Sequence, residues 1–276
     1  MRGRALRFQS VFTALLLALV ISGCSKGTTS PGFGTLSLKM TDAPGDYQEV
    51  NLAIIQVSAH LAGTEAVAEA AAVADSDSTS GWQVLRAESF NVDLLTLRNG
   101  VFATLALARV PAGHYTQIRL KLGAGSNVVI DGVTHPLTVP SGLQSGYKLV
   151  GSFDVPANGV LDLALDFDAA RSIVLTGSGT YILKPTVRVL PVNTSGSITG
   201  HVLPNDVSTT VYAIQAADTI GSALTSGGDF TVSVLPAGTY SLAFHPATAY
   251  RDTTLANVSV TSGATTNVGT VQLTPQ

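Results

Sequence analysis

From Leu36 onward the chain alternates as strands do. Leu36, Leu38 and Met40 are separated by Ser37 and Lys39, the period of a half-buried strand, and Thr41-Asp42-Ala43-Pro44-Gly45-Asp46 ends it in a Pro-Gly turn. Over residues 50–61 the alternation changes phase: Leu52 and Ile54 share one parity, Ile55, Val57, Ala59 and Leu61 the other. One extra residue exchanges the buried face of a strand in this way, which predicts a bulge near Ile54-Ile55. Further strands are predicted over 82–86, 90–97, 101–110, 115–122, 147–155, 160–167 and 181–190. Within 115–122 the pattern turns Ile118, Leu120 and Leu122 inward and Gln117, Arg119 and Lys121 outward. Asp131-Gly132, between apolar runs at 128–130 and 133–137, is a two-residue hairpin signal. Past a joint at 191–196, roughly 80 residues carry about seven short strands, the size and count of a small sandwich. The predicted fold is all-β, with two β-sandwich modules over 35–192 and 196–274.

Two stretches break the pattern. At the start, Arg2, Arg4 and Arg7 precede an uncharged apolar run over 11–21. As a helix it rises roughly 16 Å against a hydrocarbon core of ~30 Å, so it fits a secretory signal and not a permanent span. Ile21, the small residues Ser22 and Gly23, and Cys24, the only cysteine, then resemble the lipobox of bacterial lipoproteins. The resemblance implies a signal peptide 1–23, cleavage before Cys24, and acyl chains on its sulfur and new amino terminus. A single chain holds a membrane only marginally; several hold it firmly. Ser25 stands where lipoproteins kept in the inner membrane carry aspartate, so the resemblance implies the outer membrane or cell surface. Residues 24–34 form a polar tether that reaches on the order of 35 Å when stretched. With one cysteine, no intramolecular disulfide can form, and packing alone must hold the modules. The second break, 62–81, is rich in alanine and then in Ser and Asp, and reads as a surface insertion. Its Asp75 and Asp77 lack the glycine and closing glutamate of an EF-type calcium loop.

Six residues recur. Val110-Pro111-Ala112-Gly113-His114-Tyr115 and Leu235-Pro236-Ala237-Gly238-Thr239-Tyr240 differ little, and both predict a hairpin whose glycine takes positive φ and whose tyrosine starts the return strand from the core side. Phe102 and Phe230 lie upstream on the outgoing strands. Around the second copy, Gly196-Ser197-Ile198-Thr199-Gly200, Gly228-Asp229-Phe230 and Val258-Ser259-Val260 resemble the carboxypeptidase regulatory-like domain, which implies a transthyretin-like sandwich and no peptidase activity. In the first module, Leu38-Lys39-Met40-Thr41-Asp42-Ala43-Pro44, the Pro-Ala-Gly turn with Tyr115, Leu165-Asp166-Phe167-Asp168, and the run from Tyr181 through Lys184, Pro185 and Arg188 to Val189 resemble a prokaryotic family known only as a domain of unknown function. That family is often lipid-anchored and often followed by a regulatory-like module.

A net charge of −3, with charged residues only 12% of the chain, gives no sign of a nucleic-acid partner. None of His60, His114, His135, His201 and His245 starts a metal-ligand spacing, and no catalytic residue and no cofactor is named. Alternation with Leu161, Leu163, Leu165 and Phe167 places Asp162, Asp166 and Asp168 on one outward face. They could hold Ca²⁺. The favoured alternative is cross-strand pairing with Lys184 and Arg188, or with Arg119 and Lys121, and a helix cap by Asp168 over 169–172. Asp42 and Asp46 are expected to bond their own turn backbone, with ligand binding as the alternative. Trp82, Tyr47, Tyr147, Tyr212 and Tyr250 are the candidates for stacking on a sugar ring. The function expected is non-enzymatic: a membrane-anchored envelope lipoprotein displaying two sandwiches for surface interaction or scaffolding, with an envelope protein or glycan as partner. Carbohydrate binding is the first alternative and a calcium-stabilised adhesion module the second.

Overall fold

The phase change in the second strand shapes the first module. In the computed structural model, which describes residues 32–43, 45–63, 81–140, 146–247 and 249–276, β1 is Phe33–Ala43 and β2 is Glu49–Leu61. Cys24, the leader and all but the ends of the insertion lie outside these residues. β2 buries Val50, Leu52 and Ile54, then Val57 and Ala59, and its register against β6 (Gly113–Leu122) slips between Ile54 and Gln56. One strand thereby serves four partners. Its first half pairs with β4 (Phe90–Asp93) and β7 (Asn127–Ile130), its second with β3 (Trp82–Arg86) and β6. β8 (Val133–Thr138) returns from β7 through Asp131 and Gly132, both at positive φ (50° and 74°), as a primed hairpin turn requires. β9 (Tyr147–Val155) adds to β6, while β12 (Tyr181–Leu183) and β11 (Ile173–Leu175) extend the far side to nine strands.

A second sheet, in the order β13-β10-β1-β5, contributes the other half of this core. β1 runs parallel to β10 (Val160–Asp168) and antiparallel to β5 (Ala103–Pro111); β13 (Val187–Pro191) pairs with β10. Leu36, Leu38 and Met40 from β1, with Leu163, Leu165 and Phe167 from β10, are at most 1% exposed and join Leu52, Ile118 and Leu120 in one cluster. The remaining strands are β14 (Ser195–Leu203), β15 (Thr209–Gln215), β16 (Asp218–Leu224), β17 (Asp229–Pro236), β18 (Gly238–Pro246), β19 (Thr253–Val260) and β20 (Thr265–Gln272). They form sheets β17-β14-β20 and β16-β15-β18-β19 around Ile198, Val211, Phe230, Val232, Leu242 and Phe244. Among the described residues no helix is long and apolar enough to cross a membrane.

Three predicted elements differ. The 90–97 strand stops at Asp93, whose carboxylate accepts from Leu95 N (3.1 Å) and Val50 N (3.2 Å) and starts a 3-10 turn over Leu94–Leu97. The 181–190 strand is cut at Pro185, which has no N–H to give to a ladder. Lys184 N and Thr186 N turn instead to the carbonyl and hydroxyl of Ser172, so β12 and β13 enter different sheets and Lys184 shares no strand with Arg188.

The third difference is the repeated Pro-Ala-Gly turn. It closes no hairpin. β5 and β6 belong to different sheets, as do β17 and β18, so each copy is a corner carrying the chain across the sandwich. Tyr115 and Tyr240 are 0% and 2% exposed, and each hydroxyl donates to the carbonyl of the corner proline, Pro111 or Pro236, at 2.8 Å. Burial pushes the Tyr115 phenol up to about 12, so it stays a donor at any ordinary pH. A Cβ on Gly238, whose φ is +157°, would meet the Gln215 amide at 2.3 Å. Tyr115→Phe and Tyr240→Phe should each cost about 1 kcal/mol, because each leaves a proline carbonyl without its donor. Urea unfolding measures this as a lower midpoint at constant slope, and an unchanged midpoint would mean the hydroxyls do not hold the corners.

Candidate functional site

Parallel pairing of β1 with β10 sets Ala43 opposite Asp168 and Thr41 opposite Asp166, which gathers Asp42, Asp166 and Asp168 at one end of the pair. Asp42 is 4% exposed. Burial pushes its carboxyl up to about 9; the Ala169 N–H pulls it down, Asp166 and Asp168 raise it, and Arg98 lowers it. At neutral pH it is a carboxylic acid. Its Oδ1 accepts from Ala169 N (3.1 Å), 127 residues away and not in its own turn as expected, while its buried Oδ2 has no hydrogen-bond partner. Asp46 is exposed. Asp168 caps α1 (Ala169–Ser172), accepting from Arg171 N at 2.9 Å.

Asp162, Asp166 and Asp168 do alternate with the core residues Leu163, Leu165 and Phe167, but the face they share is neither open nor purely acidic. Asp162 pairs with Lys39 (3.1 Å), and hydrogen bonds from Ser37 and Lys39 hold its carboxyl below the usual range. Asp166 is buried and bonds Arg188 across β10 and β13; burial raises its carboxyl and the guanidinium lowers it. The second module covers part of this face. Thr219, Gly221 and Ser222 of β16 lie over Asp166, Asp168 and Arg188 and leave a cavity of about 50 Å³. Among the described residues no three His, Cys, Asp or Glu side chains converge as metal ligands; Asp162 is engaged by Lys39, Asp166 by Arg188, and Asp168 by the start of α1.

The second tie between modules was not foreseen. Asn99 and Gly100 take positive φ (56° and 80°) in a tight turn closed by Val101 N to Arg98 O. The Asn99 amide donates to Leu224 O (2.9 Å) and accepts from Thr231 N (3.4 Å), reaching both β16 and β17. An Asn-Gly pair signals such a turn in any sequence; that its side chain crosses to another module has no sequence signal.

The aromatic candidates are occupied. The Arg119 guanidinium lies over the Trp82 ring at 4.4 Å, with the Lys148 ammonium at 6.0 Å and the His60 ring edge-on at 5.1 Å. Arg119 is therefore buried and not solvated as its alternation suggests, and it also donates to Ser58 Oγ (3.2 Å). Tyr47 is half-buried against Gly45, Tyr147 donates to Leu183 O (3.0 Å), Tyr212 meets the edge of His245, and Tyr250 packs on the second core. Pairing of β6 with β9 also assembles a chain that spacing could not reveal: Ser152 Oγ lies 3.0 Å from His114 Nε2, and His114 Nδ1 lies 2.9 Å from Asp154 Oδ1. The connectivity is that of a nucleophilic triad. Asp154, however, is 80% exposed, whereas a triad aspartate works by burial, holding one tautomer and stabilising the imidazolium away from water.

Comparison with known families gives a match over residues 33–185, more than half of the chain, to the family described as Domain of unknown function (DUF4382). The chain belongs to this family. The DUF4382 region runs from β1 through β12 and stops before β13 and the second module. No curated protein sequence matches the chain. Among solved structures it is similar to the minor pilin GBS52 of Streptococcus agalactiae, at 13% identity over 87% of this chain and 96% of that one, TM-score 0.21. The TIE protein of Bacillus anthracis (10% identity, 88% and 51% covered, TM-score 0.22) and a streptococcal ancillary pilin (12%, 87% and 68%, 0.22) are similar at the same level. Likeness this distant says nothing of what the DUF4382 protein does.

Asp42 makes stability depend on pH. Unfolded, its carboxyl ionises near 3.8; folded, it ionises near 9, so the fold loses stability as pH rises between those values. Asp42→Asn removes that loss and should stabilise more at pH 8 than at pH 5, by on the order of 1 kcal/mol or more. A difference independent of pH would show that Asp42 is ionised in the fold.

Proposed function

We propose that the protein is a lipid-anchored module of the cell envelope, at the outer membrane or cell surface, whose two sandwiches act as one stiff spacer presenting a binding surface without catalysing a reaction. The observation that carries this is the joint. Asn99 bonds on one side, and the Asp166–Arg188 pair beneath β16 on the other, oppose rotation about the 191–196 connection. Two fixed points suit presentation at a distance; a pair of domains that closes on a substrate needs a hinge. The carboxypeptidase regulatory-like, transthyretin-like reading of 196–274 is supported by seven strands in sheets of three and four. Membrane attachment rests on the arginine-flanked apolar leader and on Cys24 as the acylated residue. The non-catalytic reading is supported by the exposure of Asp154 and by the structural engagement of the acidic cluster.

Fractionation tests the placement. The native protein should sediment with membranes and be digested by protease added to intact cells, and Cys24→Ala should move it to the soluble fraction. Protection of the native protein in intact cells would overturn the reading. Asn99→Ala should broaden the distance distribution between spin labels placed one on each module, and should cost about 1 kcal/mol of stability. An unchanged distribution would remove the Asn99 tie from the account of stiffness.

A further inference from the structure

The outer face of the sheet β17-β14-β20 carries a row of hydroxyls and amides, with one His201–Asp229 pair at its far end. Ile198, Val202, Phe230 and Val232 turn to the core, and the residues alternating with them turn away. Thr199 opposes Thr231 on one side and Asn267 on the other, while Ser197 Oγ and Thr265 Oγ1 bond across the next pair at 2.8 Å. Two clefts open on this face. One, of about 290 Å³, lies between Phe102 with Gly100 of the first module and Ser197, Thr231, Ser233 and Thr265 of the second. The other, of about 380 Å³, continues past Thr231 and Asn267 to His201 and Asp229. Thr231 borders both, so they form one trough. No charged side chain lines the first cleft, and the carboxylate in the second is engaged by His201 at 2.7 Å. At the module junction stands Phe102, 36% exposed beside this polar surface.

We propose that the trough from Phe102 to His201 binds an uncharged polysaccharide, with Phe102 against the C–H face of one sugar ring and the threonine, serine and asparagine groups meeting hydroxyls of the chain. Each cleft has about the volume of a small ligand site. The lining selects the occupant. A polyanion or polycation would bring charges that find no partner in the first cleft, whereas the hydroxyls of a neutral sugar chain meet the threonine, serine and asparagine groups that line the trough. The proposal names a partner class for the display reading and depends on it only for where the partner is met.

The experiment is native electrophoresis of the purified full-length protein through gels containing dextran, soluble starch, hydroxyethylcellulose or a β-1,3-glucan, with alginate as the charged comparison. At least one neutral polymer should retard the protein, and alginate should not. Phe102→Ala should weaken that retardation about tenfold and Thr231→Val several-fold, with urea midpoints that show both variants folded. Retardation by no neutral polymer, by alginate alone, or equally in both folded variants would overturn the proposal. Any of these results alongside surface exposure on intact cells would sink the trough and leave the display reading standing.

Discussion

Each sandwich depends on a tyrosine that bonds back four residues to a proline carbonyl. A sandwich is two sheets with one core between them, and the chain must leave one sheet and enter the other without leaving backbone groups unpaired in the apolar layer. At Pro111 and at Pro236 the phenol does this, filling the core with its ring while its hydroxyl holds the corner carbonyl. With a single cysteine at position 24, no disulfide can brace the modules, and the position of β6 against β5, or of β18 against β17, rests on packing and on these bonds. The corner is a general feature of such sandwiches, where a tyrosine returns to the backbone a few residues upstream. Here two different modules of one chain use it with nearly the same six residues.

Buried carboxyls are costly in a different way. Asp42 and Asp166 are carboxyls removed from water, and each is tolerated for a different reason. Asp42 gives up its charge and keeps one acceptor on Ala169 N; Asp166 keeps a guanidinium partner. A buried ion pair adds little net stability over an apolar substitute, but losing one member is severe because the other is stranded. The Asp166–Arg188 pair lies beneath β16, and the Asn99 amide reaches two strands of the second module, so both stand where the modules meet.

Local periodicity was sufficient wherever a strand's environment is set by its own two faces. The β1 alternation, the bulge at Ile54-Ile55 and the Asp131-Gly132 hairpin are all of this kind. Elsewhere local signals were present but underdetermined. Pro185 marks a break that apolar neighbours on both sides conceal, and Asp93 ends a strand because its carboxylate finds the amides of Leu95 and Val50. The Pro-Ala-Gly turn has the chemistry of a tight reversal, yet hairpin and corner share that chemistry and differ only in which strands pair. What no pattern contains is cover from elsewhere in the chain. Arg119 reads as solvated until Trp82 lies across it, and Asp166 reads as exposed until β16 does.

The same argument separates the surfaces that remain. A polar residue on an outer face is uninformative when a neighbour covers it, and the first module's candidates are covered: Trp82 by two cations, Tyr147 and Tyr47 by packing. The outer face of β17-β14-β20 differs because its polar row borders two open clefts, and because the first module supplies an aromatic ring at one end without closing over it. Phe102 follows the turn at Asn99-Gly100, whose asparagine also bonds two strands of the second module. The first cleft therefore needs both modules, since Phe102 and Gly100 form one wall and Ser197, Thr231 and Thr265 the other. Under the proposed display role, the joint would then matter to the surface itself as well as to its placement, because that surface spans both modules.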